Sequence, residues 1–231
     1  MMGERDYRSV VQNAIDSIGR ELDVKIDADD IGRIHLHEVV GCMRRAYYDR
    51  TDRRDVRNHG FSELLSGLLR KMQYGCEPKR FEIGDASLEG RADMIADDIL
   101  ILFRPAPVAA GDGPGGEEAD AGGGTESPHA SDALYLNACM WMYGKESGII
   151  VYVSGDRKET MFSLARNKRM FEETVRRTRV LANLLKEKKT PILEPSAECT
   201  GCRYYERCYT TRRNTKQLSL HEMFGLGGER S

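Results

Sequence analysis

The sequence predicts an α/β protein in which a mixed sheet is flanked by helices. Three observations predict it: apolar residues at helical spacing, short extended runs punctuated by Gly or Asp, and the order in which the two follow one another. That order is helix, helix, three strands, helix, strand, strand, helix.

Residues 6–23 place Val10, Val11, Ala14, Ile15, Ile18 and Leu22 on one stripe of an otherwise charged helix. Residues 34–50 read as a short extended piece running into a helix that begins near Cys42, and 61–72 as a second helix. The segments KRFEIGD, GRADMIADD and ILILF follow, separated by Gly or paired-Asp turn signals, and predict a meander. Over 105–131 the composition turns to Gly, Ala, Pro and acids with almost nothing large to bury, which predicts a flexible surface loop. A helix over 132–143, a strand over 148–154, the strand KETMFSLA and a long basic helix from Asn167 to about Lys189 complete the pattern. In that last helix Phe171, Val175, Val180, Leu181 and Leu184 are the expected packing positions. Residues 1–213 are thus expected to form one domain, and 214–231 a flexible tail.

With 231 residues, 40% of them hydrophobic, the chain can bury a core, which excludes wholesale disorder. The longest apolar runs are far too short to span a bilayer, so no membrane partner is expected. The N-terminus carries charges where a signal peptide needs an apolar stretch, so the expected location is cytoplasmic. Lys and Arg number 35 against 37 Asp and Glu, for a net charge of -2, so any nucleic-acid surface must be local.

Six cysteines in a reducing compartment point to metal rather than to disulfides, and three of them, Cys199, Cys202 and Cys208, crowd into ECTGCRYYERC. Three thiolates make a partial site that a fourth completes, as a tetrahedral set or a cubane. Cys42 is the best fourth ligand, because a helix start and the neighbouring Arg44 and Arg45 lower a thiol pKa. Cys76 is the alternative, and Cys139 reads as a small buried thiol. One distant cysteine plus a triplet favours a 4Fe-4S cluster over zinc, with inert thiols the bland reading. Such a centre would cap the fold by tying its two ends together.

One cysteine followed by Arg-Arg and aromatics (Cys42 to Tyr48), a Gly-x-x-Asp strand (Gly90 to Asp93) and a final C-x2-C-x5-C cluster together resemble the RecB-like iron-sulfur nucleases. These are PD-(D/E)xK, restriction-endonuclease-like proteins that include the CRISPR-associated exonuclease and the AddB nuclease domain. The resemblance covers about 34–209 and implies a mixed sheet with flanking helices. It also implies an Asp and a Glu holding Mg or Mn, with a Lys to orient the attacking water. Asp93 matches the Asp, but Leu102 stands at the Glu position and Arg104 at the Lys position. The family's Gln and Tyr fall on Tyr135 and Cys139, and its earlier His has only His59 nearby. The resemblance therefore implies a scaffold that kept its cluster and lost its catalysis. The rival is that Glu89, Asp97 or Asp98 has migrated into the site of an active single-strand exonuclease.

Arg44, Arg45, Arg50, Arg53, Arg54 and Arg57 interleave with Tyr47 and Tyr48, and the cluster segment adds Arg203, Tyr204, Tyr205, Arg207, Arg212 and Arg213. Phosphates take the charge while bases stack on rings at about 1–3 kcal/mol each, which suits single-stranded DNA. In the tail, Gln217, Leu220, Met223 and Phe224 resemble the peptide that docks on sliding clamps such as PCNA, with an amphipathic tail packed on the domain as the alternative. The expectation is a DNA-repair, replication or processing protein that binds DNA without cutting it. The alternatives are the active nuclease and a structural subunit stabilised by an iron-sulfur or zinc site.

Overall fold

The computed structural model describes residues 30–52, 75–106, 127–153 and 159–210. The expected helices at 6–23 and 61–72, His59, the arginines at 53, 54, 57, 212 and 213, most of the 105–131 loop and the clamp-like residues Gln217, Leu220, Met223 and Phe224 lie outside them. The chain divides into two compact units, Met1–Thr190 and Pro191–Ser231.

The first unit opens with β1 (Arg33–His35), α1 (Leu36–Val40) and α2 (Met43–Thr51). α1 occupies a stretch read as extended. It forms because Glu38 folds back to accept the His35 N–H at 2.7 Å, satisfying a donor that the helix start leaves unpaired. β2 (Lys79–Ile83), β3 (Ala86–Gly90), β4 (Met94–Ala96) and β5 (Ile99–Pro105) follow. Then come α3 (Ala130–Tyr143), β6 (Ser147–Val153), β7 (Glu159–Ala165) and α4 (Lys168–Lys186). The second unit carries a 3-10 turn at Ala197–Cys199 and the short helix α5 (Tyr205–Thr210).

The architecture is mixed α/β, with sheet and flanking helices as expected, but its strands form two sheets. One has the order β1-β3-β2 and the other β4-β5-β6-β7, and each contains one parallel pair, β1 with β3 and β5 with β6. The expected meander is therefore shared between the sheets, with β2 and β3 as a hairpin in one and β4 and β5 as a hairpin in the other. β3 is absent from the sequence reading because ASLEG alternates over only four residues, carries one large apolar side chain and ends in Gly; four of its five residues are buried. The paired-Asp signal is a two-residue turn in which Asp97 (φ 48°) and Asp98 (φ 68°) both take the left-handed conformation that short polar side chains tolerate.

Ile34, Leu36, Leu88, Leu100, Leu102, Leu136, Met140, Ile150 and Leu181 are fully buried and form the core. Gly90 lets α1 lie on β3, since a Cβ there would stand 2.8 Å from Leu36 Cδ2. α4 buries Phe171, Thr174, Thr178, Leu181, Ala182 and Leu185, so the expected Val175, Val180 and Leu184 flank the stripe at its half-buried edges. Asn167 caps α4 by accepting from the Arg169 N–H at 2.9 Å. The fully buried Asn137 amide lies against the same residue, and with its nitrogen turned to the Asn167 carbonyl (2.9 Å) its oxygen accepts the Asn167 N–H (2.7 Å), the orientation that satisfies both groups. Arg177 of α4 donates to the carbonyls of Val39 and Gly41, closing the end of α1 beside Cys42.

Arg50 is 4% exposed and belongs to the interior rather than to a basic surface. Its Nε and Nη2 grip the Glu38 carboxylate at 2.6 and 2.7 Å, and it also donates to the carbonyls of Asp30 and Arg33. Arg50→Ala leaves a buried carboxylate without its counter-ion and is expected to cost about 3–5 kcal/mol, read as a lowered urea midpoint. A loss below about 1 kcal/mol would contradict this role. Beside the pair, burial lowers the His35 pKa from 6.5 against the pull of Glu38. The unfolded chain then takes up a proton that the folded chain resists, so stability should fall as pH drops below 6.5, and His35→Gln should flatten that slope in thermal melts.

Candidate functional site

Strand alternation puts Leu100, Leu102 and Arg104 on one face of β5. Leu102, at the expected Glu position, is fully buried hydrocarbon and offers no metal ligand. Asp93 stands just before β4, 5% exposed, and its Oδ2 accepts the Phe103 N–H at 2.8 Å, which pins the carboxylate to β5. Arg104 reaches back to it, Nη1 to Asp93 Oδ2 at 3.5 Å, while Nη1 also donates to the Phe103 carbonyl at 2.7 Å. Arg104 Nε donates to Asp132 Oδ1 at 3.1 Å. The guanidinium therefore bridges two carboxylates and lies 5.1 Å from the centroid of the Tyr135 ring.

Asp132 is the residue that sequence reasoning missed. It sits in the first turn of α3, where the helix dipole favours a carboxylate, and that position was its only signal. Its Oδ2 accepts from the Tyr152 hydroxyl of β6 at 2.7 Å, and that hydroxyl accepts the His129 N–H at 3.0 Å. Burial and the Asp132 hydrogen bond push the Tyr152 pKa up, so the phenol stays a donor. Tyr135 and Cys139 occupy the expected Gln and Tyr places. Burial raises both pKa values and keeps both groups neutral, and the Tyr135 hydroxyl donates to the Arg91 carbonyl at 2.9 Å.

Mg or Mn does not fit this arrangement. Such cations need several oxygen ligands, and here one acid position is leucine and both remaining carboxylates carry a guanidinium. Among the described residues no three His, Cys, Asp or Glu side chains stand close enough to hold one metal ion. The acids considered as migrants are engaged elsewhere. Glu89 forms a two-pronged pair with Arg33 at 2.8 and 2.7 Å. Asp97 and Asp98 make the β4–β5 turn, where Asp98 pairs with Lys145.

Cys42 is the N-cap residue of α2, as its sequence position implied. In the second unit Cys199 Sγ accepts the Ser196 N–H at 3.4 Å, and its pKa is lowered by that bond together with the Ser196 and Tyr209 hydroxyls. Cys202 is half-buried and Cys208 buried, and none of the six cysteines is in a disulfide. Of the expected DNA contacts, Arg45, Arg203 and Arg207 are exposed and Arg44 half-buried. Tyr47 and Tyr48, 7% and 4% exposed, give their rings to the core, and Tyr204 is buried beneath Arg203, whose guanidinium lies 4.9 Å from the ring centroid. None of the three rings stands open for a base to stack on. The exposed aromatic of that segment is Tyr205.

No family model and no curated protein matches the chain. Among solved structures it is similar to the crystal structure of SSO0001, with a TM-score of 0.57 and 17% identity over 87% of this chain and 96% of that one. The two share a fold. It is also similar to an alkaline exonuclease, LHK-Exo from Laribacter hongkongensis, with a TM-score of 0.42 and 12% identity over 70% of this chain and 91% of that one. No described helix is long and apolar enough to cross a membrane.

Asp132→Asn should lower stability by about 2 kcal/mol and Tyr152→Phe by about 1 kcal/mol. Because Tyr152 acts through Asp132, the double variant should lose less than the sum in urea melts, and strict additivity would contradict the network.

Proposed function

We propose that this chain binds single-stranded DNA on a RecB-like nuclease scaffold and does not cut it, acting in DNA repair, replication or processing. The observation that carries the reading is the Arg104 guanidinium bridging Asp93 and Asp132, with Leu102 at the remaining acid position. Hydrolysis by the nucleases this scaffold resembles needs a cation that binds water and lowers its pKa. A guanidinium only donates hydrogen bonds, keeps its proton at every working pH and binds no water as a ligand. Two carboxylates against one guanidinium leave this group of side chains net negative, which opposes the approach of a phosphate.

The proposed DNA contacts are Arg44 and Arg45 of the first unit and Arg203 and Arg207 of the second, with Tyr205 as the exposed aromatic. The proposed cofactor is a 4Fe-4S cluster held by Cys42, Cys199, Cys202 and Cys208. Its support is the sequence spacing and the hydrogen-bond donors around Cys199 that favour a thiolate. A cubane spreads its ligands over separate iron atoms, so it does not require the close grouping that a single ion does. Recruitment by a sliding clamp through Gln217, Leu220, Met223 and Phe224 is the part of the proposal that rests on sequence alone.

The test is end-labelled single-stranded DNA with Mg or Mn, alongside gel-shift binding. Full-length DNA and salt-sensitive binding, weakened by Arg45→Ala or Arg207→Ala with the salt slope reduced by about 1 each, are the expected results. Degradation abolished by Asp93→Ala would establish the active-exonuclease reading instead. Anaerobically purified protein should carry the visible absorption of an iron-sulfur chromophore, and a colourless zinc protein would remove the cluster from the proposal.

A further inference from the structure

We propose that Arg104 is a resident cation in the seat where a nuclease of this scaffold holds its divalent metal, so that Asp93 and Asp132 accept a divalent cation only once the guanidinium is removed. The inference rests on the nuclease-like reading above and deepens it.

Each carboxylate is held in place by a donor other than Arg104. Asp93 is fixed by the Phe103 N–H at 2.8 Å. Asp132 is fixed by the Tyr152 hydroxyl at 2.7 Å, itself held by the His129 N–H at 3.0 Å. Both acids, anchored through β5, β6 and the start of α3, therefore meet the one guanidinium, at 3.5 and 3.1 Å. Deleting the side chain beyond Cβ removes the positive charge, leaves both anchors intact and opens space beside two hard oxygen donors. That setting suits Mn, with water completing its coordination.

The experiment compares the full-length protein with Arg104→Ala in EDTA and in millimolar MnCl2, by thermal melting and by the electron paramagnetic resonance signal of free Mn. The wild-type midpoint should move by less than about 1 °C on adding Mn. Arg104→Ala should melt lower in EDTA, rise by about 5 °C with Mn and remove Mn from solution. Adding Asp93→Asn should abolish that response. An Arg104→Ala protein that ignores Mn, or a wild type that responds equally, overturns the inference. If Arg104→Ala does not fold in EDTA, Mn should rescue it, and Arg104→Ala with Asp93→Asn should fold without metal because the repulsion is relieved. Failure of both would show that the guanidinium is needed for packing rather than charge, and would overturn the inference. DNA cleavage by the wild type would sink the functional reading, whereas a variant blind to Mn sinks this inference alone.

Discussion

The Arg104 guanidinium bridges the Asp93 and Asp132 carboxylates, and the chemistry open to these acids depends on that contact. Two carboxylates at the end of a sheet repel one another unless a cation stands between them. A divalent metal in that place keeps coordination positions for water and phosphate. An arginine neutralises part of the charge with hydrogen bonds alone and leaves nothing to activate. On the proposed reading, one residue type at one β5 position separates a hydrolytic centre from a structural ion network, and the leucine two residues earlier takes the place of a further oxygen ligand.

The rest of the first unit holds the partners of that contact in register. β5 and β6 pair in parallel, Arg104 opposite Tyr152, so the strand that carries the guanidinium lies beside the phenol that fixes its second acid. α3 brings Asp132 over the same strands and is in turn locked to the start of α4 by Asn137. α4 reaches across to the end of α1 through Arg177, and α1 is joined to α2 by the buried pair of Glu38 with Arg50. Paired charges and amides at helix ends fix orientation, while burial of the leucine and isoleucine core supplies most of the driving force.

Much of this order was legible in the sequence because periodicity survives in long elements. α3, β6, β7 and α4 stand where apolar spacing put them, and Cys42 caps the helix it was expected to begin. Short elements were not legible. α1 depends on one glutamate folding back, and β3 alternates over only four residues with a single large apolar side chain, so neither gives a repeat long enough to read. Of the site, Asp93, Leu102 and Arg104 could be named from a motif confined to one short stretch of chain, the β4–β5 hairpin and the residue before it. Asp132 could not, because its meaning comes from a partner 28 residues away. The basic segment misled for a related reason. Tyr47, Tyr48 and Arg50 lie on the inner side of α2, and a helix of nine residues with arginines on both sides gives composition no means of telling in from out.

Substitution of a metal by a side chain is a statement about where positive charge sits, so locating the heavy-atom scattering is the direct check. Crystals of the wild-type protein soaked in MnCl2 and measured at the manganese absorption edge should show no anomalous peak between Asp93 and Asp132, with Arg104 still spanning them. An anomalous peak ligated by both carboxylates, with the guanidinium swung away, would contradict the account.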